Sequence, residues 1–313
     1  MSPIALKVKV FLTFLATTAL ANAIKDCRKA YRTMRAIEKA NDFEALQTSI
    51  VEWSKKSNKI NKIHAAIARA NSQAAAIENA LNFKRLHGFY QLTIAQALEI
   101  IGDFSQPSKM PCFGYSLPAK ISCHIGALLA TVIGSVCSLC YACKGNYNYY
   151  EVKANLFRRL AAIDNLVLWH AAMVVTIGYV YGGGRYKKSN KIADLGYFRW
   201  HDSGDVTSIT HLAKIADIAR EFPHIHFWLP TKEMDIVKTY MAQGNDIPNN
   251  LMIRISAPMI GQTKTQTMPL RASAVNSVDP LAFHCPGPSQ GGYCDRCRAC
   301  WDRSVAVVSY HKH

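Results

Sequence analysis

The sequence predicts an α/β protein, with a parallel sheet of partial (β/α)-barrel type preceded by a helical appendage. Three observations predict this class. Apolar residues recur at helical spacing through Ala30, Tyr31, Met34 and Ile37, and again through Ile63, Ala66, Ile67 and Ala70, with no proline between Pro3 and Pro107. From Tyr197 onward, short aromatic and β-branched runs alternate with helical ones, the pattern of parallel βαβ units. Polar residues then follow three successive strands at the same end, where α/β folds place their functional crevice.

Residues 1–23 form the first element. Lys7 and Lys9 precede an apolar run from Val10 to Ala21, and Ala21-Asn22-Ala23 has the small residues of a cleavage site. The segment has the form of a secretory signal or of an amphipathic opening helix, and its apolar run is too short to span a bilayer. Clustered free thiols favour a reducing compartment, so the expectation is a cytoplasmic protein with no transmembrane span. Residues 24–108 read as the helical appendage, two to four antiparallel helices stopping near Gly102-Asp103, with a linker at Ser105-Gln106-Pro107-Ser108.

Residues 109–313 form the cysteine-rich α/β part. A helix from about 150 to 181, interrupted near 162–164, should pack on the sheet. Strands are expected at 197–200, 226–230 and 251–255. Between them come a helix over about 208–221, with Thr207 as N-cap, and a second helix through Ile236 and Tyr240. Such a run builds either a doubly wound sheet or part of a (β/α) barrel. Gly182-Gly183-Gly184-Arg185-Tyr186-Lys187-Lys188 lacks the spacing of a phosphate-binding P-loop and reads as a flexible basic loop.

The strand ends supply candidate site residues. Asp202, Ser203, Gly204 and Asp205 follow the first strand, Thr231 and Lys232 the second, and Ser256 the third. The first four are candidates for holding a cofactor. Asp202, Ser203, Asp205, Thr231, Lys232 and Arg254 are the catalytic candidates, Lys232 and Arg254 being suited to a carboxylate or phosphate. Each residue alone is also an ordinary cap or turn residue; their shared position favours a site.

Seven of the ten cysteines lie in two knots, Cys137-Ser-Leu-Cys140-Tyr-Ala-Cys143 and the run Cys285, Cys294, Cys297, Cys300. Thiolates three residues apart can face one metal centre, whereas a disulfide framework scatters its cysteines along the chain. With Cys123 the first knot supplies four soft ligands, and the second supplies four by itself. Two zinc sites, two iron–sulfur clusters or one of each satisfy this arithmetic. A Cys-x-x-Cys-x-x-Cys run with a remote fourth cysteine is closer to cluster ligation than to zinc. Cys27 and Cys112 read as small packed thiols.

Lysine and arginine outnumber aspartate and glutamate 37 to 21, a net charge of +16 that suits nucleic acid or another polyanion as partner.

Several motifs are longer than chance spacing allows. They are Lys109-Met110-Pro111-Cys112, Gly134-Ser135-Val136-Cys137 with Cys140-Tyr141-Ala142, and Lys144-Gly145-Asn146-Tyr147. Phe198-Arg199-Trp200-His201-Asp202-Ser203-Gly204-Asp205, Phe227-Trp228-Leu229-Pro230-Thr231 and Arg254-Ile255-Ser256-Ala257-Pro258 follow. Cys297-Arg298-Ala299-Cys300-Trp301-Asp302 and Ser309-Tyr310-His311-Lys312-His313 close the series. On these the chain from Lys109 onward resembles the phage gene product 88 family.

The resemblance implies a viral iron–sulfur-type protein acting in the cytoplasm of an infected host cell, where a host protein is a further candidate partner. Its Ser-Gly-Asp and strand-end Thr-Lys pattern is similar to that of radical S-adenosylmethionine barrels, which implies a 4Fe–4S cluster and S-adenosylmethionine as cofactors. The knot here is Cys-x-x-Cys-x-x-Cys, whereas the radical pattern is Cys-x-x-x-Cys-x-x-Cys. The leading expectation is therefore an iron–sulfur protein working as a radical-type enzyme or a redox factor. The alternative is a zinc-stapled, basic, non-catalytic nucleic-acid-binding protein.

Overall fold

The computed structural model describes residues 19–27, 29–30, 32–33, 43–186, 194–263 and 269–312. The signal-like segment before residue 19, Lys187 and Lys188 of the basic loop, and His313 lie outside them. Residues 19–27 are helical, and Ala19, Leu20 and Ala23 pack against Ile60, Ile63 and Ile67.

The helices fall within the two to four expected, and the longest, α1 (Phe43–His87), runs for 45 residues without glycine or proline, about 68 Å at 1.5 Å per residue. Ile63, Ala66, Gln73, Ala76 and Ala80 form its buried stripe, at the spacing that keeps residues on one helix face. Buried Gln73 anchors it, its amide donating to Ile100 O at 2.9 Å and Arg158 O at 2.8 Å. α2 (Ile94–Ile101) opens on a capping box, Thr93 with Gln96, and stops at Gly102 in the left-handed region. Ala97, Ile100 and Ile101 enter the main core, so α2 packs with the sheet domain. The expected linker also has structure, because Ser105 exchanges main-chain hydrogen bonds with Gly114 and covers the outer edge of the first strand.

The sheet has seven strands: β1 (Phe113–Tyr115), β2 (Tyr197–Trp200), β3 (His226–Thr231), β4 (Leu251–Ser256), β5 (Arg271–Val275), β6 (Phe283–His284) and β7 (Val307–Tyr310). Their order is β1-β2-β3-β4-β5-β7-β6, and every pairing is parallel. Five strands in sequence order with crossovers of one hand place the helices on one face, which is barrel-like rather than doubly wound. β1 and β6 are the two edges.

α3 (His124–Leu129), α4 (Tyr150–Ala162) and α5 (Leu166–Tyr181) connect β1 to β2; α6 (Ile209–Glu221) and α7 (Met234–Ala242) make the next two crossovers. The break between α4 and α5 falls where the sequence placed it. The N-cap of α6 is Ser208, whose hydroxyl accepts from His211 N, and not Thr207; Thr207 bonds to the His211 ring instead.

Alternation along the strands divides the side chains. Phe113, Tyr115, Phe198, Trp200, Phe227, Leu229, Leu251 and Ile253 face the helices and form the main core with Trp169, Ile177, Leu212 and Ile215. Cys112, Trp228, Met252 and Val308 face the other way and meet Cys300 and Trp301 in a second cluster. Among the described residues no single helix is long and apolar enough to cross a membrane.

Candidate functional site

The C-terminal ends of β1, β2 and β3 are laced together by the predicted polar residues. Ser203 donates its hydroxyl to Leu117 O at 2.8 Å, and Leu117 N donates to Ser203 O at 2.8 Å. Gly204 has φ +79°, and a Cβ there would stand 2.5 Å from Leu117 Cβ and 2.6 Å from Ser122 Oγ, so only glycine fits. Asp205 is buried and accepts from Val206 N (2.8 Å), Thr231 Oγ1 (2.6 Å) and Lys232 N (2.9 Å). Burial raises its pKa to about 6 against the pull of those donors. Ser203, Asp205 and Thr231 are thus engaged in fixing this end of the sheet. Lys232 donates Nζ to Ala257 O at 2.9 Å, and burial lowers its pKa.

Above this end lies the first thiol group. Cys123 is the N-cap residue of α3, and Ile125 N in the same first turn donates to Glu233 Oε1 at 2.9 Å. Cys137 and Cys140 sit on a short 3-10 turn whose loop is held from below, Val136 N donating to Pro258 O and Ile260 N to Gly134 O. Cys123 Sγ and Cys137 Sγ lie 3.7 and 3.6 Å from the place a Cβ would take on Gly126. Burial pushes the Cys123 thiol up to about 12, helped by Asp205 and then by Cys140 and Cys137. Cys137 is likewise raised by burial, with Lys232 acting against it. Cys140 goes up to about 11 through burial and then Cys143, to which it is hydrogen-bonded. Cys123, Cys137 and Cys140 all act electrostatically on Lys232, and Cys143 contacts Cys140 at the exposed side. Its rim is apolar and exposed, with Ile133 95% accessible and Leu128 68%.

Asp202 points away from the Asp205 network. It pairs with Arg199 (Nη1–Oδ1 2.7 Å) and accepts from the Tyr147 hydroxyl, while its main-chain oxygen accepts from Tyr141. Arg199, on the face away from the helices, stacks over Trp228 at 4.6 Å.

The second thiol group is packed on that same face. Cys112, Cys294, Cys297 and Cys300 pack in one cluster with Met110, Trp228 and Trp301. Cys294 Sγ is 3.5 Å from Met110 Sδ, and Cys300 Sγ is 3.2 Å from the Tyr310 hydroxyl. Burial raises Cys294, Cys285 adds to it, and Arg199 opposes it.

Arg254, expected to meet a carboxylate or phosphate, is fully buried, and its guanidinium donates to five main-chain carbonyls. These are Cys300 (2.9 Å), Ala272 (3.1 Å), Val305 (3.0 Å), Ala299 (2.8 Å) and Asp302 (2.7 Å). It is a positioning residue for the second knot. Cys112, read from the sequence as a packed thiol, lies beside this knot; its only advance signal was its place in the Lys109-Met110-Pro111-Cys112 motif. Among the described residues no group of three or more His, Cys, Asp or Glu side chains is placed to hold a metal ion.

The family model for Gene product 88 matches residues 87–303, more than two thirds of the chain. The chain belongs to the Gene product 88 family. The match takes in α2, the whole first thiol group and every cysteine of the second. In this member of the family the match also starts ahead of the cysteine-rich part, at the C-terminal end of α1. No curated protein and no solved structure matches the chain.

Proposed function

We propose that this Gene product 88 protein is a phage-encoded iron–sulfur protein of the host cytoplasm, with its reactive centre at the C-terminal mouth of the sheet. The observation that carries this reading is the first thiol group. Residues from two separate loops, Cys123 and the Cys137–Cys143 turn, gather beside Lys232 above the ends of β2 and β3. This is the end where parallel α/β sheets place their chemistry.

The donor set is thiol only, which suits a soft centre. Thiols that gather without meeting at one point suit a cluster, in which each thiolate binds a different iron. A tetrahedral zinc with Zn–S bonds of 2.3 Å needs its sulfurs about 3.8 Å apart. Cys123, Cys137, Cys140 and Cys143 would hold the cluster of a redox factor, whereas in an enzyme the exposed Cys143 would leave one iron open to S-adenosylmethionine; when bound, the cluster supplies a one-electron centre.

The protein's own residues do the rest. Lys232 offsets thiolate charge and holds the Cys137 thiol below where burial alone would put it. Ser203, Asp205 and Thr231 keep the strand ends in register, and Gly204 leaves the close approach open. Asp202, tethered by Arg199, Tyr141 and Tyr147, offers a polar edge beside Cys140 for S-adenosylmethionine or another substrate.

Anaerobic purification followed by iron, acid-labile sulfide and zinc measurement tests the reading. Iron and sulfide in equal amounts, reduced in the Cys137→Ser, Cys140→Ser double variant, are the expected result. Zinc without sulfide would overturn it and direct attention to the basic surface and nucleic acid. With the cluster in place, reductive cleavage of S-adenosylmethionine decides between an enzyme and a redox factor.

A further inference from the structure

We infer that Cys112 joins Cys285, Cys294, Cys297 and Cys300 in a second thiolate–metal centre that closes the open sheet by tying its two edges together. This inference does not depend on a cluster at the mouth.

Chain topology makes the case first. Cys112 immediately precedes β1, one edge of the sheet, and Cys285 immediately follows β6, the other edge. Among the described residues no strand pairing joins β1 to β6. Cys294 lies between them: its main-chain N–H donates to Lys109 O at 3.1 Å on the β1 side, and Cys285 N donates to Ser309 O at 2.8 Å on the other.

Packing makes the case second. Cys112, Cys294, Cys297 and Cys300 share one cluster on the face away from the helices, and Cys285 and Cys112 both act electrostatically on or with Cys294. Apolar packing accounts for Cys112 and Cys300, which are buried. It does not account for Cys285, Cys294 and Cys297, which are only half-buried on a loop rich in glycine and proline. Five thiols so gathered, all free, with Arg199 and Arg298 among the charges acting on them, are the chemistry of a soft-metal site. Gly291 (φ +66°) and Gly292 (φ +85°) give the 286–293 loop the freedom to bring the sulfurs together on loading. Arg254 holds the carbonyls on the far side of the knot, so the cysteines after Cys294 stay on a fixed base.

The test begins with the wild-type chain, purified anaerobically and treated with iodoacetamide with or without a metal chelator, the labelled cysteines being read by peptide mass. Half-buried free thiols alkylate readily, so the expected result is that Cys285, Cys294 and Cys297 are protected until the chelator acts and then label together with Cys112. Labelling of the three in metal-containing protein at the rate of a free thiol would overturn the proposal. Hydrogen exchange tests the closure. Chelation should speed exchange in β1 and β6 together, and a change confined to 286–300 would overturn the edge-to-edge tie.

Metal content should fall in Cys294→Ser and in Cys112→Ser relative to wild type; an unchanged content in Cys112→Ser alone is enough to overturn the proposal. The Cys137→Ser, Cys140→Ser double variant keeps this protection, so failure at the mouth and failure here give different results. Iron with sulfide, or zinc alone, names the centre.

Discussion

The two thiol groups share the spacing Cys-x-x-Cys-x-x-Cys and almost nothing else. At the mouth, Cys137 and Cys140 ride on 3-10 turns of a loop held by a few main-chain bonds, under an exposed apolar rim. On the inner face the knot is pinned by the five bonds of Arg254 and by Trp301, whose indole N–H donates to Phe198 O at 3.0 Å. Equal spacing therefore fixes the kind of chemistry available, while the setting fixes its use. The mouth group opens to solvent at Cys143 and along its apolar rim, whereas the second is anchored at its Cys300 end, with Cys285, Cys294 and Cys297 half-buried.

The sharpest way to break this contrast is to remove the support. Arg254→Met leaves five carbonyls of the inner knot without their donor and should cost about 4 kcal/mol in urea unfolding. Arg254→Lys should recover little, because one ammonium cannot copy the planar fork. If Arg254→Met unfolds like wild type, the inner group is no better anchored than the mouth.

On the mouth side, Gly204→Ala should cost about 2–3 kcal/mol, since it adds both a positive-φ penalty and an overlap with Leu117 and Ser122. A loss below half a kcal/mol would mean that the turn at the end of β2 is not fixed.

Acid offers another way to loosen the fold. His201, in that same turn, and His211 are buried, with His201 Nδ1 and Nε2 and His211 Nε2 lacking hydrogen-bond partners. Burial lowers the His211 pKa to about 3 and that of His201 well below 6.5. As pH falls below about 6.5, the unfolded chain binds protons that the folded chain refuses, so stability drops by about 1.4 kcal/mol per pH unit for each histidine. Asp205 works in the opposite sense. Its folded pKa is raised to about 6, so the folded chain holds an extra proton between about 6 and 3.8, offsetting one of the two. Net destabilisation by about one proton's worth should show in urea titrations between pH 6 and 4. His211→Gln should remove that net slope.

The smallest effect concerns Lys232. In metal-free protein, Lys232→Met should raise the Cys137 pKa further and slow its alkylation several-fold at pH 8. Cys294, on the other face, should react as before. Equal slowing at both sites would mean that the groups are not electrostatically separate.

Much of this was legible in the residues. The strands at 197–200, 226–230 and 251–255 showed because each carries a run of apolar residues between turn signals, and their shared polar ends pointed to the mouth. β1 and β6, three and two residues long, are too short to carry a pattern. Helical periodicity marked α1 but not its length, because an unbroken 45-residue helix and several shorter ones repeat alike. Arg254 was misjudged as a ligand contact. An arginine inside Leu251–Ser256, a strand otherwise nearly all apolar, signals a buried guanidinium holding main chain together. Cys112 stood alone in sequence, and only the sheet brings it to its partners.

The placement of Cys112 and Cys285 at opposite edges also dictates an order of events during synthesis. A centre that needs Cys112 and Cys294 together cannot be filled while the nascent chain is still emerging with only its first strands exposed. Cys112 must wait, unliganded, until the segment carrying Cys285 to Cys300 has left the ribosome. The mouth group has no such delay, since Cys123 to Cys143 emerge as one short stretch. If both groups bind metal as proposed, delivery to them would be separated in time, and a cell short of metal would accumulate chains loaded at the mouth but still open along the side.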